Sequence, residues 1–145
     1  MASILCALQQ EVADRLSDDA FFASIPVLVE QPLEVTYELQ ASAAEAGIWV
    51  VVLVPEASVT SFNAPGPIFD PVEIAVQVRE NVPVASGPHA LEVAEYTLAL
   101  LHLYRPETVN EVMTAAPRAL RRLDEPDVVA YEVRVRTQVV VGVAT

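Results

Sequence analysis

The chain has 145 residues, 53% of them hydrophobic, and its 20 acidic and eight basic residues give a formal net charge of −12. This length fits a single domain over residues 1–145, and the acidic surplus argues against a nucleic-acid grip, because such a grip needs basic residues that neutralise phosphates. No apolar run reaches the roughly 20 residues of a membrane-spanning helix, and the N-terminus lacks the basic stretch of a signal peptide, so no membrane partner is expected.

The first elements in chain order are a helix and a short strand. Apolar side chains recur at helical spacing from Ile4 to Leu16, which predicts an amphipathic helix over residues 3–16. The segment Ile25–Glu30 is short and rich in β-branched residues, which is typical of a strand.

A second helix is predicted between Pro32 and Gly47. Proline is favoured in the first turn of a helix, and glycine readily adopts the left-handed conformation that closes one. The segment Ile48–Val54 follows and is apolar at every position. This pattern predicts a central strand that is covered on both faces.

The segment from Pro55 to Pro71 has a different composition, with four prolines, one glycine and no helical period. It predicts a long connection or an extended arm, with an edge segment of its own around Ile68. Loops of this length inside small domains tend to be functional or bound to a partner. The alternative is a flexible loop without such a role.

A strand and a long helix are predicted after the proline-rich segment. Residues 72–79 alternate apolar and polar side chains, as in a strand with one buried face. The helix is expected over residues 88–104, with Ser86 or Gly87 as its cap and Pro88 in its first turn.

The C-terminal part predicts a short strand near residues 119–123 and the longest strand of the chain over residues 131–141. The element order is therefore helix, strand, helix, strand, loop, strand, helix, strand, strand. This order predicts an α+β fold, in which helices pack on one face of a mixed, mostly antiparallel sheet.

Candidate catalytic and metal-binding residues are few. The two histidines, His89 and His102, are thirteen positions apart, and no HExxH, CxxC or DxDxDG motif is present. Ser86 lies near His89, but no Gly-x-Ser-x-Gly turn accompanies it. Glu92 and Glu95 share a helical face, which suits paired acid–base carboxylates and also a simple solvated face. We expect no catalytic, cofactor or metal site, and a hydrolase that uses His89, Glu92 or Glu95 is the enzyme alternative.

The arginines are distributed unevenly. The chain has no lysine, five of its eight arginines lie between positions 118 and 136, and residues 1–63 hold one arginine and nine acidic residues. Guanidinium groups suit subunit boundaries, although a solvated strand face is the alternative. We expect the basic sheet surface of one copy to contact the acidic helix surface of the next, head to tail, in a way that can close a ring. The predicted contact residues are Arg118, Arg121, Arg122, Arg134 and Arg136, with Phe62, Ile68 and Phe69 of the proline-rich segment.

Several phrases of the chain resemble small tail proteins of long-tailed bacteriophages and prophages, and the family they resemble is the tail terminator, or tail-completion, group. In the second half they are VQVRENVPV (residues 76–84), HALEVAEYTLALLHLYRPE (residues 89–107) and YEVRVRT (residues 131–137). In the first half they are FFASIPVLVEQ (residues 21–31), followed by a predicted helix and IWVVVLVP (residues 48–55). The proline-rich segment departs from the pattern.

The resemblance implies a structural role in the virion, in the tail or neck, with assembly in the host cytoplasm. Tail terminators are similar α+β domains that form a hexameric ring on the end of the tail tube and offer a surface to the head-connector proteins. DNA passes through such a ring without specific binding. Another head–tail connector or tail subunit, or a small bacterial accessory domain that binds a protein, is the alternative.

Overall fold

The computed structural model describes residues 3–30, 39–41, 43–61, 68–81, 87–109, 111–126 and 128–140. Two α-helices, two 3-10 helices and five strands are described over their full length, and residues 39–41 and 43 are also helical. The helices are α1 (Ile4–Ser17), α2 (Ala90–Leu101) and the 3-10 helices Ala20–Phe22 and Ala44–Ala46. The strands are β1 (Val27–Val29), β2 (Ile48–Ser61), β3 (Ile68–Glu80), β4 (Thr114–Leu123) and β5 (Val129–Val140).

The five strands form one sheet in the order β1-β2-β3-β5-β4. β1 pairs parallel to β2, and the other three pairings are antiparallel. The predicted α+β class, with a mixed and mostly antiparallel sheet, is confirmed. The parallel pair requires a crossover between β1 and β2, and the chain between residues 30 and 47 provides it.

Both α-helices pack on the same face of the sheet and form the main hydrophobic core with it. Helix α1 begins at residue 4, as its apolar spacing predicts, with the Ser3 hydroxyl accepting a hydrogen bond from the Cys6 N–H at 3.2 Å. The largest side chains that are fully buried include Leu8, Leu16, Ile74, Leu101, Met113, Val12, Val50, Val52, Val76, Val78 and Val93.

The opposite face of β2 is covered by the chain that precedes it. Residues 39–41 and 43 are helical, and Gly47 ends the following 3-10 turn with φ 87°. Ala43 packs with Trp49 and Val51, whose side chains point away from the α-helices. Burial on both faces is therefore confirmed for residues 48–52 of β2, and Leu53 and Val54 are half-buried. The left-handed role of Gly47 is also confirmed, while Pro32 lies outside the described residues.

The long loop predicted over residues 55–71 is wrong for most of its length. β2 continues to Ser61 and β3 begins at Ile68, so the segment is the far end of a hairpin. Pro55 and Pro71 lie where the strand register shifts. A proline without an N–H is tolerated at such irregular positions, and the shifts also hide the alternating pattern that would have predicted strands.

Helix α2 is shorter than predicted at both ends. Its cap is His89, not Gly87, and it ends at Leu101 because the chain is drawn into pairing with the segment before β4. The Leu103 N–H donates to the Met113 carbonyl and the Met113 N–H to the Tyr104 carbonyl, both at 2.7 Å. Ser86, the other predicted cap, lies outside the described residues.

Candidate functional site

A pocket of about 300 Å³ lies on the face of the sheet opposite α1 and α2. Val133 and Val135 of β5 enter the core, and alternation along the strand therefore sends the charged residues between and beside them to the other face. We call this site the arginine pocket. It is lined by Glu73, Ala116, Pro117, Arg118, Arg121, Glu132, Arg134 and Arg136.

Two carboxylates form the floor of the arginine pocket and hold three of its guanidinium groups. Glu73 and Glu132 are both buried. Arg134 bridges them, donating from Nη1 to Glu73 at 2.6 Å and from Nε to Glu132 at 2.7 Å. Arg136 donates to Glu73 and Arg121 to Glu132, each at 3.2 Å. The buried charges are therefore paired and hydrogen-bonded, which is the condition for burying them at tolerable cost.

The ionisation of this cluster follows from its contacts. Burial by itself would raise the pKa of Glu132, but hydrogen bonds from Arg134 and Gln77 and the nearby guanidinium charges outweigh burial and lower the pKa. The hydrogen bond to Glu132 is the main cause that raises the pKa of Arg134. Both shifts favour the charged forms of Glu132 and Arg134.

The arginine pocket carries net positive charge in a strongly acidic protein. Four guanidinium groups face two carboxylates, which leaves two positive charges in excess. Arg118 is exposed and makes no ion pair with the residues that the structure describes. An excess of fixed guanidinium groups is suited to binding an oxyanion such as a carboxylate.

A second charged depression, of about 330 Å³, lies on the helical side of the molecule. The exposed surface of α1 and the chain after α2 form it. Arg15 is its one basic side chain and lies over the ring of Tyr104, 4.9 Å from the ring centre. We call this surface the acidic groove. It is lined by Glu11, Asp14, Arg15, Asp18, Asp19, Tyr104 and Glu107.

Partial burial and the carboxylates of the acidic groove together raise the pKa of its tyrosine, Tyr104. Partial burial raises the pKa of Tyr104, and the charges of Glu11, Glu107 and Asp14 raise it further, while Arg15 opposes them. The groove is thus a region of negative potential, opposite in sign to the arginine pocket.

The predicted contact residues are divided between two faces. Four of the five arginines line the arginine pocket, as the C-terminal clustering suggested. Arg122 does not, because it projects to the helical side, 5.9 Å from the ring centre of Tyr131. Phe69 packs against the core and Ile68 begins β3, while Phe62 lies outside the described residues.

The sequence did not reveal the partners of these arginines. Arg134 and Arg136 were predicted on an exposed strand face, free to contact a second copy, yet they are only partly exposed and bonded to buried glutamates. Glu73 and Glu132 were missed because only the register, which sets Glu73 opposite Arg136 on neighbouring strands, brings them together. The available signal was that the polar positions of two adjacent strands carry side chains of opposite charge.

Two residues of the enzyme alternative, His89 and Glu92, organise the start of α2, and the third, Glu95, is exposed on its surface. The His89 ring lies 2.8 Å from buried Glu80, which also accepts a hydrogen bond from the Ala90 N–H at 2.8 Å. Glu92 completes a capping box with His89. At the other end, His102 accepts a hydrogen bond from the Ala115 N–H at 3.2 Å. Each of these side chains that makes such a contact therefore has a role in the local fold.

Metal-binding groups of side chains and membrane-spanning helices are both absent from the part of the chain that the structure describes. No group of three or more His, Cys, Asp and Glu side chains is arranged there to hold a metal ion. Within the same residues, no helix is both long enough and apolar enough to cross a bilayer.

No protein-family model matches the chain, and no curated protein matches it. The resemblance to tail terminators therefore stays a prediction.

Proposed function

We propose that this protein is a structural subunit of a phage virion, a tail terminator that assembles as a ring on the end of the tail tube and joins it to the head connector. The observation that carries the proposal is the separation of opposite charges: the acidic groove lies on the helical side of the sheet and the arginine pocket on the other.

This separation favours assembly of several copies. The sheet stands between the two surfaces, so a single molecule cannot bring them into contact. A second copy can, and because the surfaces differ, the contact is head-to-tail. Repetition of one head-to-tail contact produces a ring when the rotation closes and a filament when it does not. Complementary potentials guide the approach of the copies and fix their register.

The edges of the sheet favour contact through side chains over strand addition. β1 is only three residues long. The opposite edge strand, β4, carries Pro117, Arg118, Arg121 and Arg122 within its ten residues. Short edges, prolines and charges are the means by which proteins prevent edge-to-edge pairing.

The net charge of −12 agrees with a ring through which DNA slides. Stable DNA binding requires basic groups that displace counterions from many phosphates. In this proposal the four guanidinium groups of the arginine pocket are committed to protein contacts, and the acidic remainder keeps the polyanion at a distance.

Imaging of assembled tails tests the proposal. Tails purified from a phage that encodes this chain are examined by electron cryomicroscopy and mass spectrometry, with a phage in which the gene is interrupted as the matched control. We expect several copies in a ring at the head-proximal end and tails of irregular length without the gene. Absence of the chain from tails of normal length and function contradicts the proposal, and several copies elsewhere in the tail identify another tail subunit.

A protein-binding accessory domain is the second candidate, because an acidic segment of an unrelated partner would also satisfy the arginine pocket. This candidate predicts a chain that is absent from tails and is recovered with one specific acidic protein. The imaging experiment separates the two.

A further inference from the structure

We infer that the arginine pocket of one copy receives the carboxylates of Asp18 and Glu107 from the acidic groove of the next copy. The inference rests on the proposed function and specifies the contact through which that function would assemble the chain. Arg118 is the residue of the pocket on which the contact depends most.

The arginine pocket is organised before any partner arrives. Buried Glu73 and Glu132 fix the side chains of Arg134, Arg136 and Arg121. Ordering a long side chain on binding opposes association, and these three arginines are already held by ion pairs in the isolated molecule. All three line a cavity that has an excess of positive charge.

Arg118 differs from the other arginines of the pocket. It lies in the part of β4 between Ala115 and Leu120, where the register with β5 shifts and regular pairing is interrupted. Its side chain is exposed and makes no ion pair with described residues. Arg118 can therefore turn towards an incoming carboxylate without giving up an existing partner.

The dimensions of the arginine pocket suit a carboxylate side chain. A cavity of about 300 Å³ is comparable to the smallest ligand sites in proteins. It can hold one or two carboxylates in the planar, two-pronged arrangement that guanidinium groups favour.

Three carboxylates of the acidic groove already accept hydrogen bonds within the molecule, which leaves two for a contact with another copy. Asp19 already accepts hydrogen bonds from the Phe21 N–H at 3.0 Å and the Tyr96 hydroxyl at 2.9 Å. Glu11 accepts one from the Thr108 N–H at 3.2 Å, and Asp14 one from Gln10 at 3.0 Å.

Asp18 and Glu107 complete the acidic groove from its two sides, at the end of α1 and after α2. Both are exposed, and neither makes a hydrogen bond through its carboxylate with the described residues. Of the carboxylates in the groove, these two are the ones that a guanidinium partner would stabilise most.

The like net charge of two copies does not prevent this contact. Charges farther apart than the Debye length, about 8 Å at physiological ionic strength, are largely screened. Partly buried pairs in direct contact are screened much less. The local complementarity of pocket and groove therefore decides the interaction at short range.

Charge reversal on each of the two surfaces, in separate variants that are then mixed, tests the inference. Arg118→Glu should weaken self-association roughly 30-fold, the effect of disrupting one desolvated charge pair at an interface. The double variant Asp18→Arg/Glu107→Arg should weaken it at least as much. An equal mixture of the two should associate again, because each junction in an alternating assembly then joins opposite charges. Sedimentation velocity of the full chain measures all of these samples.

Arg122→Glu is the matched control. It makes the same charge change four residues further along β4 but on the helical side of the sheet, so self-association should stay within about twofold of the wild type. Arg134 is a poorer probe, since its reversal would place a third carboxylate beside buried Glu132.

The outcomes separate the inference from the proposed function. Loss of association with Arg118→Glu, retention with Arg122→Glu and recovery in the mixture support the contact. Unchanged association of Arg118→Glu, no recovery in the mixture, or a wild-type chain that stays monomeric even near millimolar concentration overturns it. The proposed function is decided independently, by the presence of the chain at the head-proximal end of tails.

Discussion

Arg134 of β5 donates a 2.6 Å hydrogen bond to Glu73 of β3, a residue 61 positions earlier in the chain. This pair, with Glu132 beside it, turns the polar face of two neighbouring strands into a fixed charge cluster. The cluster is at once part of the fold and the base of the arginine pocket. Removal of the cluster should therefore lower the free energy of unfolding before it affects anything else.

Replacing Glu132 by glutamine should destabilise the protein by about 2 to 3 kcal/mol. Removing one partner of a buried ion pair costs about 3 to 5 kcal/mol, and partial exposure of Arg134 and Arg121 reduces that cost. Urea unfolding monitored by circular dichroism measures the change. Glu95→Gln on the exposed surface of α2 is the control, with an expected change within about 0.5 kcal/mol. Equal stability of the two variants would refute a structural role for the cluster.

The same carboxylate should make stability depend on pH in the acid range. Because the pKa of Glu132 is lower in the folded protein than its ordinary value of 4.5, the unfolded chain binds a proton first as the pH falls. The stabilisation from Glu132 is thus complete above about pH 4.5 and is lost as the pH drops through its folded pKa. Urea unfolding at several pH values should show a steeper acid loss for the wild type than for Glu132→Gln. Parallel curves would be inconsistent with a lowered pKa.

His89 should titrate above its ordinary value. The hydrogen bond to Glu80, and next the charge of Glu80, raise the pKa of His89 above 6.5. Since this pKa is raised by folding, the contribution to stability is present below about pH 6.5 and disappears as the pH rises through the folded pKa. Proton NMR of the ring measures the midpoint directly, and Glu80→Gln should return it towards 6.5. A wild-type midpoint at or below 6.5 would contradict the contact.

Leu103 should be a position where glycine stabilises the protein. Its backbone has φ 67° and its side chain is 63% exposed, so substitution relieves left-handed strain and loses little burial. Leu103→Gly should raise stability by about 0.5 to 1 kcal/mol. Leu91→Gly is the matched control, because Leu91 is also exposed but lies within α2. There glycine should cost about 1 kcal/mol. Thermal melts compare the two, and a shift of the same sign in both would contradict the strain argument.

The sequence predicted those parts of the molecule in which periodicity is unbroken. Helix α1 and strand β5 lie where predicted because their apolar residues keep a regular spacing against one core. The prediction that β5 is the longest strand is wrong, because β2 has 14 residues and β5 has 12. Gly47 also agrees, since its left-handed φ is a property of a single residue.

Prediction failed where distant pairing decides the structure. The hairpin formed by the far ends of β2 and β3 has shifted registers, so neither a period of two nor its prolines indicated strands. β4 begins at Thr114, five residues before its predicted start, for the same reason. The arginine pocket depends on the register of three strands and could not be deduced from the clustering of arginines alone.

Cross-linking between copies tests most directly whether pocket and groove meet. In a Cys6→Ser background, which removes the chain's one native cysteine, a Pro117→Cys variant is mixed with a Ser17→Cys variant under mild oxidation. Both positions are exposed, Pro117 lines the arginine pocket and Ser17 precedes Asp18, so the charged residues of the contact are kept. We predict a disulfide-linked dimer containing one chain of each kind, and little of it when Arg122→Cys replaces Pro117→Cys. A yield for the Pro117→Cys and Ser17→Cys mixture no higher than for the Arg122→Cys mixture would contradict the head-to-tail contact.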